Sequence, residues 1–162
     1  MLEKTGVASK KDIDKMLPSK ERMEEGPVVI VECFRPIPCD PCYYSCPFSV
    51  FAPFDDINDL PQTDFDKCTG CGICVAHCPG LALFVVDYSY GEELGLLKLP
   101  YEFTPRPEEG EEVILMNRKG EEIGEGLVKK VEEKEEFDKT AVITLEVPRN
   151  LLMDARHFRI KE

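Results

Sequence analysis

Eight cysteines fall within the 46 residues from Cys33 to Cys78, and the other 116 residues contain none. Nothing else in the chain limits its fold so tightly. The first group reads CFRPIPCDPCYYSCP, with Cys33, Cys39, Cys42 and Cys46 followed by Pro47. The second reads CTGCGICVAHCP, with Cys68, Cys71, Cys74 and Cys78 followed by Pro79. A disulfide framework is the first alternative, but such frameworks belong to small exported domains. This chain has 162 residues, and its N-terminal MLEKTGVASKKDIDKML lacks the apolar core of an export signal. The expectation is therefore a cytoplasmic protein whose thiols bind metal.

Structural zinc sites draw two cysteine pairs, set apart by a longer spacer, into one closed tetrahedron. Closely stepped cysteines ending in Cys-Pro, twice over, fit that scheme poorly, and a zinc-stabilised interaction module stands as an alternative. Runs of C-x2-C-x2-C-x3-C-P hold iron–sulfur clusters, and in two-cluster proteins the fourth cysteine serves the other cluster. Gly70 and Gly72, without side chains, let backbone N–H groups approach the sulfides. In the Cys39–Cys42 loop, Asp40 adds a negative charge and Pro41 has no N–H to offer. Five residues separate Cys33 from Cys39, where two separate Cys68 from Cys71. Pro36 and Pro38 stiffen this longer loop, which either returns Cys33 to the same metal or leaves it a free thiol.

On these motifs, residues 27–90 resemble a two-[4Fe–4S] ferredoxin domain of the bacterial type. Carried over position by position, the resemblance implies one cluster on Cys33, Cys39, Cys42 and Cys78. It implies a second on Cys68, Cys71, Cys74 and Cys46, each group lending its last cysteine to the other. The insertion after Cys33 is the one departure from the pattern. The segments ECFRPIPCDPCYYSCPF and DINDLPQTDFDKCTGCGICVAHCP are similar to ferredoxin-like small subunits of flavin-containing amino-acid dehydrogenases, of the proline or hydroxyproline kind. That resemblance implies an electron-transfer subunit of a hetero-oligomeric complex, passing electrons from a partner flavoprotein to an external acceptor. A freestanding soluble ferredoxin is the alternative.

The rest of the chain agrees with a carrier that has no substrate site of its own. No G-x-G-x-x-G, phosphate loop or catalytic triad is present, so any substrate oxidation is expected on another chain. Acidic residues outnumber basic ones 32 to 20, a net charge of -12. That balance argues against a nucleic acid or an anionic membrane surface as partner. The longest apolar run, Leu81 to Val86, is far short of a membrane span. His77 lies between cysteines of a complete set and is expected at the surface or in a hydrogen bond. Tyr43, Tyr44, Phe48, Phe51 and Phe54 are expected to keep water from the clusters.

Composition divides the chain into three stretches, with an α+β fold class overall. Residues 1–26 form a charged N-terminal arm, disordered or laid along another surface. Within it, Ser9 caps a helix from Lys10 to Leu17, and Ser19 caps another reaching Glu25. Since the first cysteine lies beyond it, removing residues 1–24 is expected to leave the thiol sites intact. Residues 27–104 form the ferredoxin-like domain, with strands at PVVIVE, LALFVVDY and LLKLPYEF. Residues 105–162 form a small β-rich module, a barrel or sheet that leans on the first domain or on a partner. Its strands fall at Val113 to Met116, Ile123 to Val131, Thr140 to Val147 and HFRI. In the third of these, Ala141, Ile143, Leu145 and Val147 share one face.

Overall fold

The computed structural model describes residues 2–161. Three short helices open the chain: α1 (Leu2–Thr5), α2 (Lys10–Asp14) and α3 (Lys20–Glu25). The Ser9 hydroxyl accepts from the Asp12 N–H, and the Asp12 carboxylate accepts from the Ser9 N–H, a reciprocal cap on α2. This helix stops at Asp14, short of Leu17, because Pro18 has no N–H to give the Asp14 carbonyl four residues back and its ring crowds that carbonyl. Ser19 caps α3, which ends at Gly26 as its sequence indicates.

Strand β1 (Val28–Val31) leads to α4 (Pro41–Ser45), α5 (Ile73–His77), β2 (Leu83–Asp87) and β3 (Leu94–Tyr101). Then come β4 (Glu112–Met116), β5 (Glu122–Glu132), β6 (Ala141–Pro148) and β7 (His157–Ile160). Among the described residues these make one antiparallel sheet in the order β1-β2-β3-β6-β5-β4-β7. The fold is α+β. The strands after residue 105 continue the sheet begun by β1, β2 and β3, because β6 pairs with β3 along eight residues, from Leu94↔Pro148 to Tyr101↔Ala141.

Two apolar clusters flank the sheet, and alternation along each strand decides which residue joins which. Val28 and Ile30 of β1, Phe84 and Val86 of β2, and Leu97 and Leu99 of β3 face one core. Ala141, Ile143, Leu145 and Val147 of β6 join them, as do Val113, Leu115, Val128 and Phe158 from the remaining strands. Val29, Val31, Leu83 and Val85 point the other way, towards Cys74, Val75 and Phe51. β1 and β2 are thus apolar on both faces, which is why PVVIVE and LALFVV read as unbroken apolar runs.

The two ends of the strand order meet at Glu32. Its carboxylate accepts from Arg118 Nε (2.9 Å), just past β4, and from Arg156 Nε (2.7 Å), just before β7. Arg156 is buried (7% exposed) and stacks over Phe84 at 5.1 Å. Burial pushes the Glu32 carboxyl up, but the two guanidinium groups outweigh it and hold it below the usual carboxylate range. The sheet therefore curls, and an ion-pair triad joins its first strand to its last two. His157 packs in an aromatic group, 5.9 Å from Tyr101 and 5.5 Å from Phe103. Among the described residues no helix is long and apolar enough to cross a membrane.

Candidate metal centre

α4 and α5 are built alike, and the likeness follows from sequence. Each carries a cysteine as its second residue, Cys42 or Cys74, and each ends at a cysteine followed by proline, Cys46-Pro47 or Cys78-Pro79. A residue before proline is pushed out of the helical region. Cys46 (φ −82°, ψ 111°) and Cys78 (φ −76°, ψ 109°) are accordingly extended. Had either helix continued, its two cysteines at i and i+4 would share one face. The proline breaks that register and sends the second thiol elsewhere.

The described residues hold all eight cysteines as free thiols. They surround two small cavities. Cys33, Cys39, Cys42 and Cys78 line one, closed further by Ile37, Phe54 and Leu83. Cys46, Cys68, Cys71 and Cys74 line the other, with Val29, Val50 and Val85 behind them. Cys33, on its five-residue loop, stands with the first set, and the Cys39 N–H donates to the Ile57 carbonyl at 3.1 Å. Burial pushes the Cys42 thiol up to about 12, a rise to which Cys78, Cys39 and Cys33 add. Cys74 is raised by burial and then by Cys68, Cys71, Cys46 and Cys42. Cys33 and Cys39 are raised in the same way, Cys39 by the neighbouring Asp40 as well. Thiols held this way lose their protons when a cationic metal core takes them as ligands.

The donor chemistry fits [4Fe–4S] clusters. Each cavity offers four thiols, Asp59 also lining the first, and backbone amides already point at the sulfurs. Val29 N–H (3.3 Å) and Gly70 N–H (3.4 Å) donate to Cys68 Sγ, and Ala82 N–H donates to Cys78 Sγ at 3.4 Å. Such donors stabilise thiolate and added electron density. Among the described residues, no three His, Cys, Asp or Glu side chains converge on one ion position. A closed tetrahedral zinc site needs four ligands about 2.0–2.3 Å from a single centre.

Two cations that sequence reading had left aside hold the second loop. Arg22 of α3, 9% exposed, donates to the carbonyls of Phe65 (3.0 Å), Gly26 (3.2 Å), Pro27 (3.2 Å) and Cys68 (2.7 Å). Lys98 of β3 donates to the Gly70 (2.9 Å) and Cys71 (3.3 Å) carbonyls. Residues 1–24, expected to be dispensable for the thiol sites, thus include one side chain that touches the second loop. That cut takes away Arg22 and leaves the Cys68 carbonyl without its guanidinium.

The aromatic expectation is corrected in part. Phe48 and Phe51 line the second cavity and Phe54 the first, but Tyr44 is 76% exposed and lines neither. Tyr43 and Phe54 are half-buried. His77 takes a hydrogen-bonding role: its Nδ1 lies 2.9 Å from the Ile73 carbonyl, which can only accept, so Nδ1 carries the proton.

Gly70 gives a first prediction. Its φ is +68°, and a Cβ there would collide with the Pro27 ring. Left-handed backbone costs a non-glycine residue about 1–2 kcal/mol. Gly110, at φ +87° with open space around it, carries the backbone cost without the collision. Urea unfolding should therefore show Gly70→Ala losing more stability than Gly110→Ala, which loses about 1 kcal/mol. Equal losses would mean that Pro27 simply moves aside.

Comparison with known proteins bears on the second group. Residues 61–84, which include Cys68, Cys71, Cys74 and Cys78, match the 4Fe-4S binding domain family. No curated protein matches the chain, and no solved structure does. The matched segment is thus of the cluster-binding, iron–sulfur electron-transfer type.

Proposed function

We propose that the chain is an electron-transfer subunit carrying two [4Fe–4S] clusters, one held by Cys33, Cys39, Cys42 and Cys78 and the other by Cys46, Cys68, Cys71 and Cys74. The observation that carries the reading is the grouping of eight free thiols into two sets of four, each around its own cavity. When bound, such clusters supply one-electron chemistry. The chain's own part is to fix the thiols, exclude water with Val50, Phe51 and Leu83, and aim amides at the sulfurs. The partner is a flavin-containing dehydrogenase acting on an amino acid such as proline, from which electrons go on to an external acceptor. The resemblance of both cysteine segments to such small subunits supports this partnership. So does a sequence without a G-x-G-x-x-G, a phosphate loop or a catalytic triad.

Isolation of the native protein without oxygen tests the reading. The expected result is about eight iron and eight sulfide per chain, in a complex that contains flavin and oxidises an amino acid. Stoichiometric zinc without sulfide would replace it with the zinc-stabilised module. A lone monomer with both clusters would leave electron transfer standing and make the protein a freestanding ferredoxin.

A further inference from the structure

Arg22 belongs to the N-terminal arm and Lys98 to the sheet, yet both reach the same short stretch of backbone from opposite sides in sequence. Arg22 uses Nε, Nη1 and Nη2 on four carbonyls, of which Phe65 and Cys68 bracket the approach to the second cysteine group. Lys98 closes on Gly70 and Cys71, just beyond Thr69. Among the described residues neither side chain forms an ion pair. A guanidinium that is nine-tenths buried and meets only neutral carbonyls lacks the counter-charge that burial of an ion calls for. Arg156, the other buried arginine, has that counter-charge in Glu32.

The thiolates supply what is missing at Arg22. A [4Fe–4S] core on four thiolates carries net negative charge, and reduction adds one more unit. Positive charge held close by favours the added electron. The surroundings of the other set run the opposite way: Asp40 stands beside Cys39, Asp59 lines the cavity, and Pro41 withholds an amide. Amide donors do not distinguish the sets, with two on Cys68 Sγ in one and one each on Cys78 and Cys42 in the other, so the difference rests on the charges.

We propose that Arg22 and Lys98 are positioning residues for the cluster on Cys46, Cys68, Cys71 and Cys74, and that their charges set its reduction potential above that of its neighbour. The inference rests on the two-cluster reading and adds the order of the two potentials and its cause. It also gives the arm a role inside the chain, since α3 reaches the redox centre through a single side chain. Anything that lifts α3 from the sheet would lower that cluster's affinity for an electron and leave the other cluster as it was.

The test is potentiometric titration of the full-length chain, followed by paramagnetic resonance, with Arg22→Met, Arg22→Lys and Lys98→Met. The signal lost in Cys39→Ala identifies the cluster of the first set. In Arg22→Met and in Lys98→Met the midpoint of the second cluster should fall by at least 59 mV, a tenfold loss in its one-electron equilibrium constant. The first cluster should stay where it was. Arg22→Lys keeps the charge and loses the fork, so it should recover most of the shift; a purely structural role would not respond to charge in this way. Should Arg22→Met lose the cluster outright, Lys98→Met and Arg22→Lys still give the comparison. Two assembled clusters with unmoved potentials in both charge-removing variants, or a shift confined to the first cluster, would overturn the inference alone. A wild-type chain that holds no iron–sulfur cluster would instead overturn the electron-transfer reading, before any potential is measured.

Discussion

Replacing Cys39 and Cys46 together with alanine should strip the chain of nearly all its iron, whereas replacing Cys46 and Cys71 together should leave about four of eight atoms. Both pairs remove two thiols, so a simple count of ligands predicts no difference. The difference comes from the cavities. Cys39 belongs to one set of four and Cys46 to the other, although both sit in the first sequence group, while Cys46 and Cys71 line the same cavity. The Cys-Pro steps are the cause, since each ends its helix and turns the last thiol away from the group that precedes it. If each sequence group held its own cluster, the two results would change places. Iron and sulfide analysis of the two double variants, each purified without oxygen, decides between them.

Glu32→Gln should be as destabilising as truncating one of the large core side chains. Removing one partner of a buried ion pair leaves the other charge uncompensated and costs about 3–5 kcal/mol. Here the stranded group is Arg156, whose Nε is 2.7 Å from Glu32 and whose side chain is almost wholly buried. For a chain of this length the loss corresponds to a fall in Tm of roughly 10 °C. Replacing the pair with apolar residues, Glu32→Leu with Arg156→Met, should recover most of it, because the cost lies in the unpaired charge. Double-variant stability equal to the sum of the single losses would refute that account. The pH dependence has a fixed sign. The Glu32 carboxyl is held below its ordinary value of 4.5, so its contribution is present above about that pH and is lost as pH falls through the lower folded-state value. Glu32→Gln should therefore lack this part of the acid transition.

Local chemistry made most of the elements legible. Ser9 and Ser19 announce their helices because a hydroxyl before a charged, helix-forming run satisfies an orphan amide. The face shared by Ala141, Ile143, Leu145 and Val147 is readable because strand period is fixed by geometry and not by neighbours. The pairing of β6 with β3 was not readable, since strands forty residues apart pair through a surface that neither announces alone. Exposure of Tyr44 was hidden for a related reason: an aromatic beside a buried cysteine still has two sides to choose from. Arg22 left one faint mark. It is the only arginine in an arm with five lysines, and a planar fork of donors suits convergent carbonyls better than an ammonium does. Glu32, next to Cys33, reads as a solvated charge until Arg118 and Arg156 arrive from 86 and 124 residues away.

The pairing of β6 with β3 also fixes a timetable. A polypeptide is made from its N-terminus at about 5–20 residues per second. Every cysteine has been added by residue 78, and β3 is finished at Tyr101, but its partner begins only at Ala141. The 39 intervening residues take about 2–8 s to synthesise. Throughout that interval all eight thiols exist, while Leu97 and Leu99 stand on a strand whose outer edge has nothing to bond. Completion of the thiol set and closure of the sheet are thus separated in birth order, and the growing chain passes through a stage at which every cysteine is made and the sheet is still open.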